Sequence, residues 1–174
     1  LRRMKRPSLR KANQSLELLT NAMPEIALRT TFIVGFPGET ESEFLELLDF
    51  IKEWKFDHIG AFSYSPQGGT PAFEHEGSVD SAVVADRFSR LMTLAQDISS
   101  SRTKDLVGER VEVLIESEEP GENADGDLIS IGRSFRDAPE VDGMAFVKGV
   151  FRAGDIVPTI VKGALPYDLL CYPA

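Results

Sequence analysis

The apolar residues of this chain change their spacing at Gly108. Before it, Val84, Phe88, Leu91, Ala95 and Ile98 recur at intervals of four and three, which predicts one long amphipathic helix over about 80–104. After it, Val111, Val113 and Ile115 alternate with Arg110, Glu112 and Glu116, a period that suits a half-buried strand. A helical stripe cannot serve as a strand face, so the chain is expected to divide here, into residues 1–103 and 104–174.

The first unit reads as helix, strand, helix, strand. Leu9, Ala12, Leu16 and Leu19 share a helical face that stops before Pro24. Residues 26–34 are rich in β-branched and apolar types and end at Gly35, which predicts a strand buried on both faces. Thr40 and Glu43 form a T-x-x-E capping box ahead of Phe44, Leu47, Leu48, Ile51 and Trp54. Residues 58–64 form the next predicted strand, followed by a Pro/Gly-rich loop over 65–77. This alternation is that of parallel βα units. In the second unit, strands are expected at 109–116, 127–133, 144–147, 155–161 and 167–171, enough for a small closed barrel of the OB kind. Pro158 belongs at an edge or a bulge, because it has no N–H to give a ladder.

Composition limits the chemistry. The longest apolar stretches fall well short of the roughly 20 residues a membrane-spanning helix needs. With its basic residues and no apolar run behind them, the start is not expected to be a secretory signal, and a cytoplasmic location is expected. The chain begins without an initiator Met and partway into an element, as a fragment would. Its single cysteine, Cys171, excludes an internal disulfide or a multi-cysteine metal site within this chain. The net charge is -9, and residues 106–174 hold 13 acidic and 6 basic residues, a net of -7. Such a surface disfavours nucleic acid.

Two glycine-rich segments leave predicted strand ends. Ile33-Val34-Gly35-Phe36-Pro37-Gly38-Glu39-Thr40 runs from a strand into a capped helix, and Tyr64-Ser65-Pro66-Gln67-Gly68-Gly69-Thr70-Pro71-Ala72 follows the next strand. By spacing alone each is a turn or loop. In parallel α/β folds, however, ligands sit at the carboxyl ends of strands, where a residue without Cβ lets backbone approach closely. Both segments resemble those of the radical-SAM methylthiotransferases, and Leu1-Arg2-Arg3-Met4-Lys5-Arg6 is more weakly similar to an earlier helix start of the same enzymes. The resemblance covers nearly the whole chain. It implies the last part of a radical-SAM (β/α) barrel followed by a TRAM domain, a small five-stranded β-barrel for substrate. It also implies S-adenosylmethionine, and two 4Fe-4S clusters whose C-x-x-x-C-x-x-C ligands this chain lacks. In the family a cluster turns S-adenosylmethionine into a radical source, hydrogen is taken from the substrate and a methylthio group is inserted. Val34, Gly35, Phe36, Gly38 and Tyr64 are the expected cofactor neighbours. Arg6 and Arg29 are cations for its carboxylate, although a solvated arginine is the commoner state.

Substrate choice divides the family between adenosine in tRNA and the β-carbon of an aspartate in small-subunit ribosomal protein twelve. Gly132-Arg133-Ser134-Phe135-Arg136-Asp137-Ala138-Pro139-Glu140-Val141-Asp142-Gly143 looks like the ribosomal-protein branch, the RimO form. An acidic barrel suits a basic ribosomal protein better than a phosphate backbone, so tRNA is the weaker expectation. Arg133, Asp137, Glu140 and Asp142 are the expected substrate-docking residues, on a hairpin with outward side chains. Asp142-Gly143 is equally a type I′ turn signal. His58 and His75 lack a second ligand at metal spacing and read as structural or exposed histidines, and Cys171 as a buried strand position.

Overall fold

The computed structural model describes residues 6–123 and 125–174, so the similarity at residues 1–5 lies outside the described residues. Helix α1 (Leu9–Ala22) starts at Ser8, whose hydroxyl accepts from the Lys11 amide at 3.4 Å. Strands β1 (Arg29–Val34) and β2 (His58–Ser63) run parallel, Arg29 opposite His58 and Val34 opposite Ser63. Helix α2 (Glu41–Trp54) connects them, and α3 (Ser81–Asp105) follows a short 3-10 turn at Pro71–Glu74. One face of the strand pair, with Phe32, Val34, Ile59 and Ala61, packs on Phe44, Leu48 and Ile51 of α2 and Leu91 of α3. Each such side chain taken fully out of water contributes about 1.5–3 kcal/mol.

The capping box forms as expected. The Thr40 hydroxyl accepts from the Glu43 amide at 3.2 Å, and the Glu43 carboxylate accepts from the Thr40 amide at 2.9 Å. Thr40→Ala is expected to cost about 1 kcal/mol. Urea melts measure it, and an unchanged midpoint would mean that another group caps α2.

Strand β1 corrects an expectation. It begins at Arg29 rather than Ile26, and only Val34 along it is buried. The helices cover one face alone. The other face pairs Arg29 with His58, Thr31 with Gly60 and Ile33 with Phe62, and leaves Ile33 and Phe62 44% and 65% exposed. Among the described residues the α/β part is thus a two-stranded parallel sheet with its helices rather than a barrel.

The second unit is a closed β-barrel. Strands β3 (Arg110–Ile115), β5 (Leu128–Arg133), β6 (Ala145–Lys148), β7 (Ile156–Ala164) and β8 (Leu169–Pro173) follow one another in the order β3-β7-β8-β6-β5, and a β5–β3 pairing closes the ring. These are the five expected strands; a two-residue β4 (Gly121–Glu122), too short to show periodicity, pairs with β5. Alternate residues point inward, giving a core of Val111, Val113, Ile115, Ala145, Val147, Val157, Val161, Leu169 and Cys171. Closure removes the sheet edges. Pro158 is therefore not at an edge, nor at the irregularity between Val161 and Gly163, but inside β7 opposite Glu112. The bonds from Ile115 N to Asp155 O and from Val161 N to Glu109 O fix the alternation, so Pro158 faces β3 at a pair that exchanges no ladder bonds. Toward β8 its carbonyl accepts from Ala174 N, one residue beyond the end of β8.

Candidate functional site

The carboxyl ends of β1 and β2 hold a cavity of about 490 Å³, lined among others by Gly35, Tyr64, Phe73, His75 and Val84. Gly35 and Gly38 have φ of +77° and +73°, where a side chain is strained. A Cβ on Gly35 would collide with the Val84 side chain of α3. The bare glycine thus allows close packing with that helix. The turn is held from below by Glu39, which accepts from the Gly35 amide at 3.2 Å and pairs with Arg87 at 2.7 Å. The Arg87 guanidinium, 4% exposed, also donates to the Glu39 carbonyl and to Glu41. The loop after β2 is tied down by the Gly38 amide, which donates to the Gly77 carbonyl at 2.6 Å. The Phe36 ring meets Tyr64 edge-on at 5.2 Å and lies 5.9 Å from His75. The buried Tyr64 hydroxyl finds no partner among the described residues.

Of the expected cofactor neighbours, Gly35 and Tyr64 line this cavity, while Phe36 packs against Tyr64 and Gly38 belongs to the adjoining turn. Val34 sits beside them but is fully buried against the helices. Arg6 lies exposed ahead of α1. Arg29 is at the opposite end of β1, about 16 Å away at the rise of a strand. It faces Asp142 of the β-barrel at 3.4 Å.

That opposite end is a second polar site, where the two units meet. Asp57, 2% exposed, accepts from the Leu28 amide at 2.9 Å, from Arg102 at 3.1 and 3.2 Å, and from Arg136 of the barrel at 3.2 Å. His58 stands between two barrel carboxylates, Nε2 3.3 Å from Asp137 and Nδ1 3.6 Å from Asp142. The Nε2 contact is an ion-pair approach rather than a directed hydrogen bond. Asp137 also accepts from the Ser134 hydroxyl at 2.6 Å and amide at 3.0 Å, and Asp142 from the Ala138 amide at 2.9 Å. Thr103, at the end of α3, donates to the Leu165 carbonyl at 2.8 Å.

The expectation that Asp137, Glu140 and Asp142 point outward is overturned for two of the three. Asp137 and Asp142 have side chains only 4% and 5% exposed and are spent on the α/β unit. Glu140 alone is exposed, at a positive φ of 65°. Arg133 lies on the barrel surface, paired with Glu116 at 2.8 Å. Nor is Asp142-Gly143 a type I′ turn, which needs positive φ at both central residues; Gly143 is absent from the positive-φ positions.

Burial pushes the Asp137 carboxyl up, but the nearby His58 ring and the hydrogen bonds from Ser134 outweigh it and hold the group below its ordinary value. A lowered folded-state pKa gives stability that is present above the unfolded value and lost as pH falls through the folded one. Thermal melts of the native chain and of Asp137→Asn are therefore expected to differ at neutral pH and to converge once the pH drops below the ordinary aspartate range. A constant gap down to acid pH would show that ionised Asp137 does not hold this junction.

Sequence comparison bears on both sites. The TRAM domain family matches residues 107–172, the β-barrel. "Ribosomal protein uS12 methylthiotransferase RimO" of Chloroflexus aurantiacus is 47% identical over 172 residues, covering 97% of this chain and 37% of that protein. The protein of the same name from Synechocystis is 46% identical over 170 residues, with the same coverage. Over 97% of its length the chain is similar to RimO proteins. It spans somewhat over a third of the length of the curated relatives it matches. Among the described residues no helix is long and apolar enough to cross a membrane. Cys171 is 1% exposed in the barrel core, as its strand alternation predicts, and burial raises its thiol pKa. No group of three or more His, Cys, Asp or Glu among the described residues is placed to hold a metal ion.

Sequence reasoning missed Arg87, Asp57 and His58 as organisers. Arg87 carried a signal: it lies three residues after Val84 and four before Leu91, on the apolar stripe of α3, where a cation must find a buried acid. Asp57 and His58 carried none, because their partners lie far along the chain.

Proposed function

We propose that this chain is the C-terminal part of an enzyme that inserts a methylthio group at the β-carbon of an aspartate in ribosomal protein uS12 by radical S-adenosylmethionine chemistry. Residues 1–103 complete the cofactor barrel and 104–174 form the TRAM barrel that docks substrate. The observation that carries this reading is the convergence of the Gly35–Gly38 and Tyr64–Ala72 segments on one cavity at the carboxyl ends of parallel strands. Its volume, about 490 Å³, suits a small-molecule site.

The residues fit the two implied groups unequally. An adenosyl moiety suits the Tyr64 and Phe73 surfaces, and the unpaired Tyr64 hydroxyl is a polar group in need of a partner. The cofactor carboxylate must find its cation elsewhere, since Arg29 is engaged at the far strand end. Iron-sulfur clusters take thiolate ligands, and Cys171 is sealed in the other unit, so this chain's residues do not fit a cluster. Cluster ligation is assigned to the remaining length of the full protein, and the 174 residues alone are expected to be inactive.

When bound, S-adenosylmethionine supplies the radical chemistry and the methyl group. The chain's own residues position it. Glu39 and Arg87 fix the β1 turn, the Gly38–Gly77 bond holds the loop over the cavity, and Phe73 and His75 wall it against water. A net charge of -7 over residues 106–174 favours a basic ribosomal protein over tRNA.

The test is anaerobic turnover of the full-length enzyme with uS12 and with tRNA, read by mass spectrometry. A methylthio mass gain on uS12 alone, weakened by Phe73→Ala through poorer S-adenosylmethionine binding, is the expected result. Modification of tRNA instead would assign the chain to the other branch.

A further inference from the structure

The geometry points to a positioning role for His58 and Asp142: they lock the TRAM barrel to the amino-terminal end of the β1/β2 sheet, so that a protein substrate is gripped at a distance from the cavity where it reacts. This rests on the methylthiotransferase reading above and extends it. The cavity lies at Gly35 and Tyr64, whereas every polar contact described between the units is at Arg29, Asp57, His58 or the carboxyl end of α3. Six strand residues separate the two ends, about 16 Å. The segment from Ser134 to Asp142 carries the lock and sits on the sheet face that bears Arg29 and His58, the same face as Thr31, Ile33 and Phe62. It closes that face at its lower end and leaves the upper end for entry.

The contacts form a directional lock. His58 addresses two carboxylates that are themselves fixed from behind, Asp137 by Ser134 and Asp142 by Ala138. Arg29 adds a third line to Asp142 from the neighbouring strand. A contact from one strand would allow rotation; contacts from β1 and β2 together fix an angle. A barrel held so far from the cavity cannot shape the reacting residue, and adds affinity only for a substrate long enough to touch both places.

The experiment compares the full-length enzyme with its His58→Ala and Asp142→Asn variants, using whole uS12 and a short peptide around the target aspartate. Asp142→Asn keeps an acceptor for Ala138, so it remains informative if His58→Ala folds poorly. Both variants are expected to raise KM for whole uS12 roughly ten-fold, the loss of a tethered second contact, with kcat kept and both peptide parameters unchanged. Small-angle scattering of the same proteins should show the barrel released. Peptide and protein kinetics falling together, or an unchanged scattering profile, would overturn the positioning role. If the parent enzyme modified neither substrate, the functional reading would fail, and scattering alone would decide the lock: release upholds it, an unchanged profile refutes it.

Discussion

Gly143→Ala is expected to cost the β-barrel about 3 kcal/mol or more, the upper end for overpacking. A Cβ at this position would overlap the Tyr167 carbonyl oxygen and lie 2.7 Å from its carbon and 3.2 Å from Asp168 Oδ1. The two nearest are backbone atoms, which cannot swing aside. Tyr167 precedes Asp168, whose carboxylate accepts from the Met144 amide at 2.9 Å, and the Leu169 amide returns a bond to the Met144 carbonyl at 2.9 Å. Relief must therefore break the β6–β8 pairing. Gly132→Ala should behave alike, since its Cβ would strike the Leu114 carbonyl where β5 pairs with β3 to close the ring. Gly68→Ala is the control, with nothing within 4 Å of the added methyl. Urea unfolding of the three variants measures the difference, and a Gly143→Ala midpoint equal to that of Gly68→Ala would refute the close approach.

Asp57→Ala is expected to be the most damaging single change at the junction between the units, at about 3–5 kcal/mol, because it leaves a buried cation without its partner. Arg136 is 6% exposed and its second guanidinium nitrogen already lacks an acceptor. Removing Asp57 also strands the Leu28 amide at the foot of β1. Arg102→Ala, by contrast, removes a side chain 39% exposed to water and should cost at most about 1 kcal/mol. The asymmetry between two arginines on one carboxylate is the diagnostic, read by thermal melts of both variants. Equal small losses would mean that Asp57 and Arg136 are solvated and the units are not joined there.

Local order was legible in the sequence wherever neighbours in the chain decide it. The Thr40–Glu43 box, the four-three stripe of α3 and the alternation of β3 each concern residues a few positions apart, and each took its expected form. The cavity was legible through its two glycine-rich segments, though the reason for Gly35 was not, because Val84 lies far along the chain. Misreadings arose where a distant partner changes what a pattern means. Asp137 and Asp142 in a polar segment between strands look like surface acids until Arg29 and His58 are brought against them. Gly143 after an aspartate looks like a turn until Tyr167 passes behind it. Pro158 looks like an edge marker until the ring closes and its missing donor falls at Ala174.

The claim on which the rest depends is that the Ser134–Asp142 segment joins the two units into one body rather than meeting a partner. Backbone ¹⁵N relaxation of the 174-residue chain tests it most directly, since two tethered domains tumble separately and a clamped pair does not. A single rotational diffusion tensor fitting the amides of α2, α3 and the barrel strands alike is the predicted result. A distinctly shorter correlation time for the barrel amides would contradict the lock and return Asp137 and Asp142 to solvent.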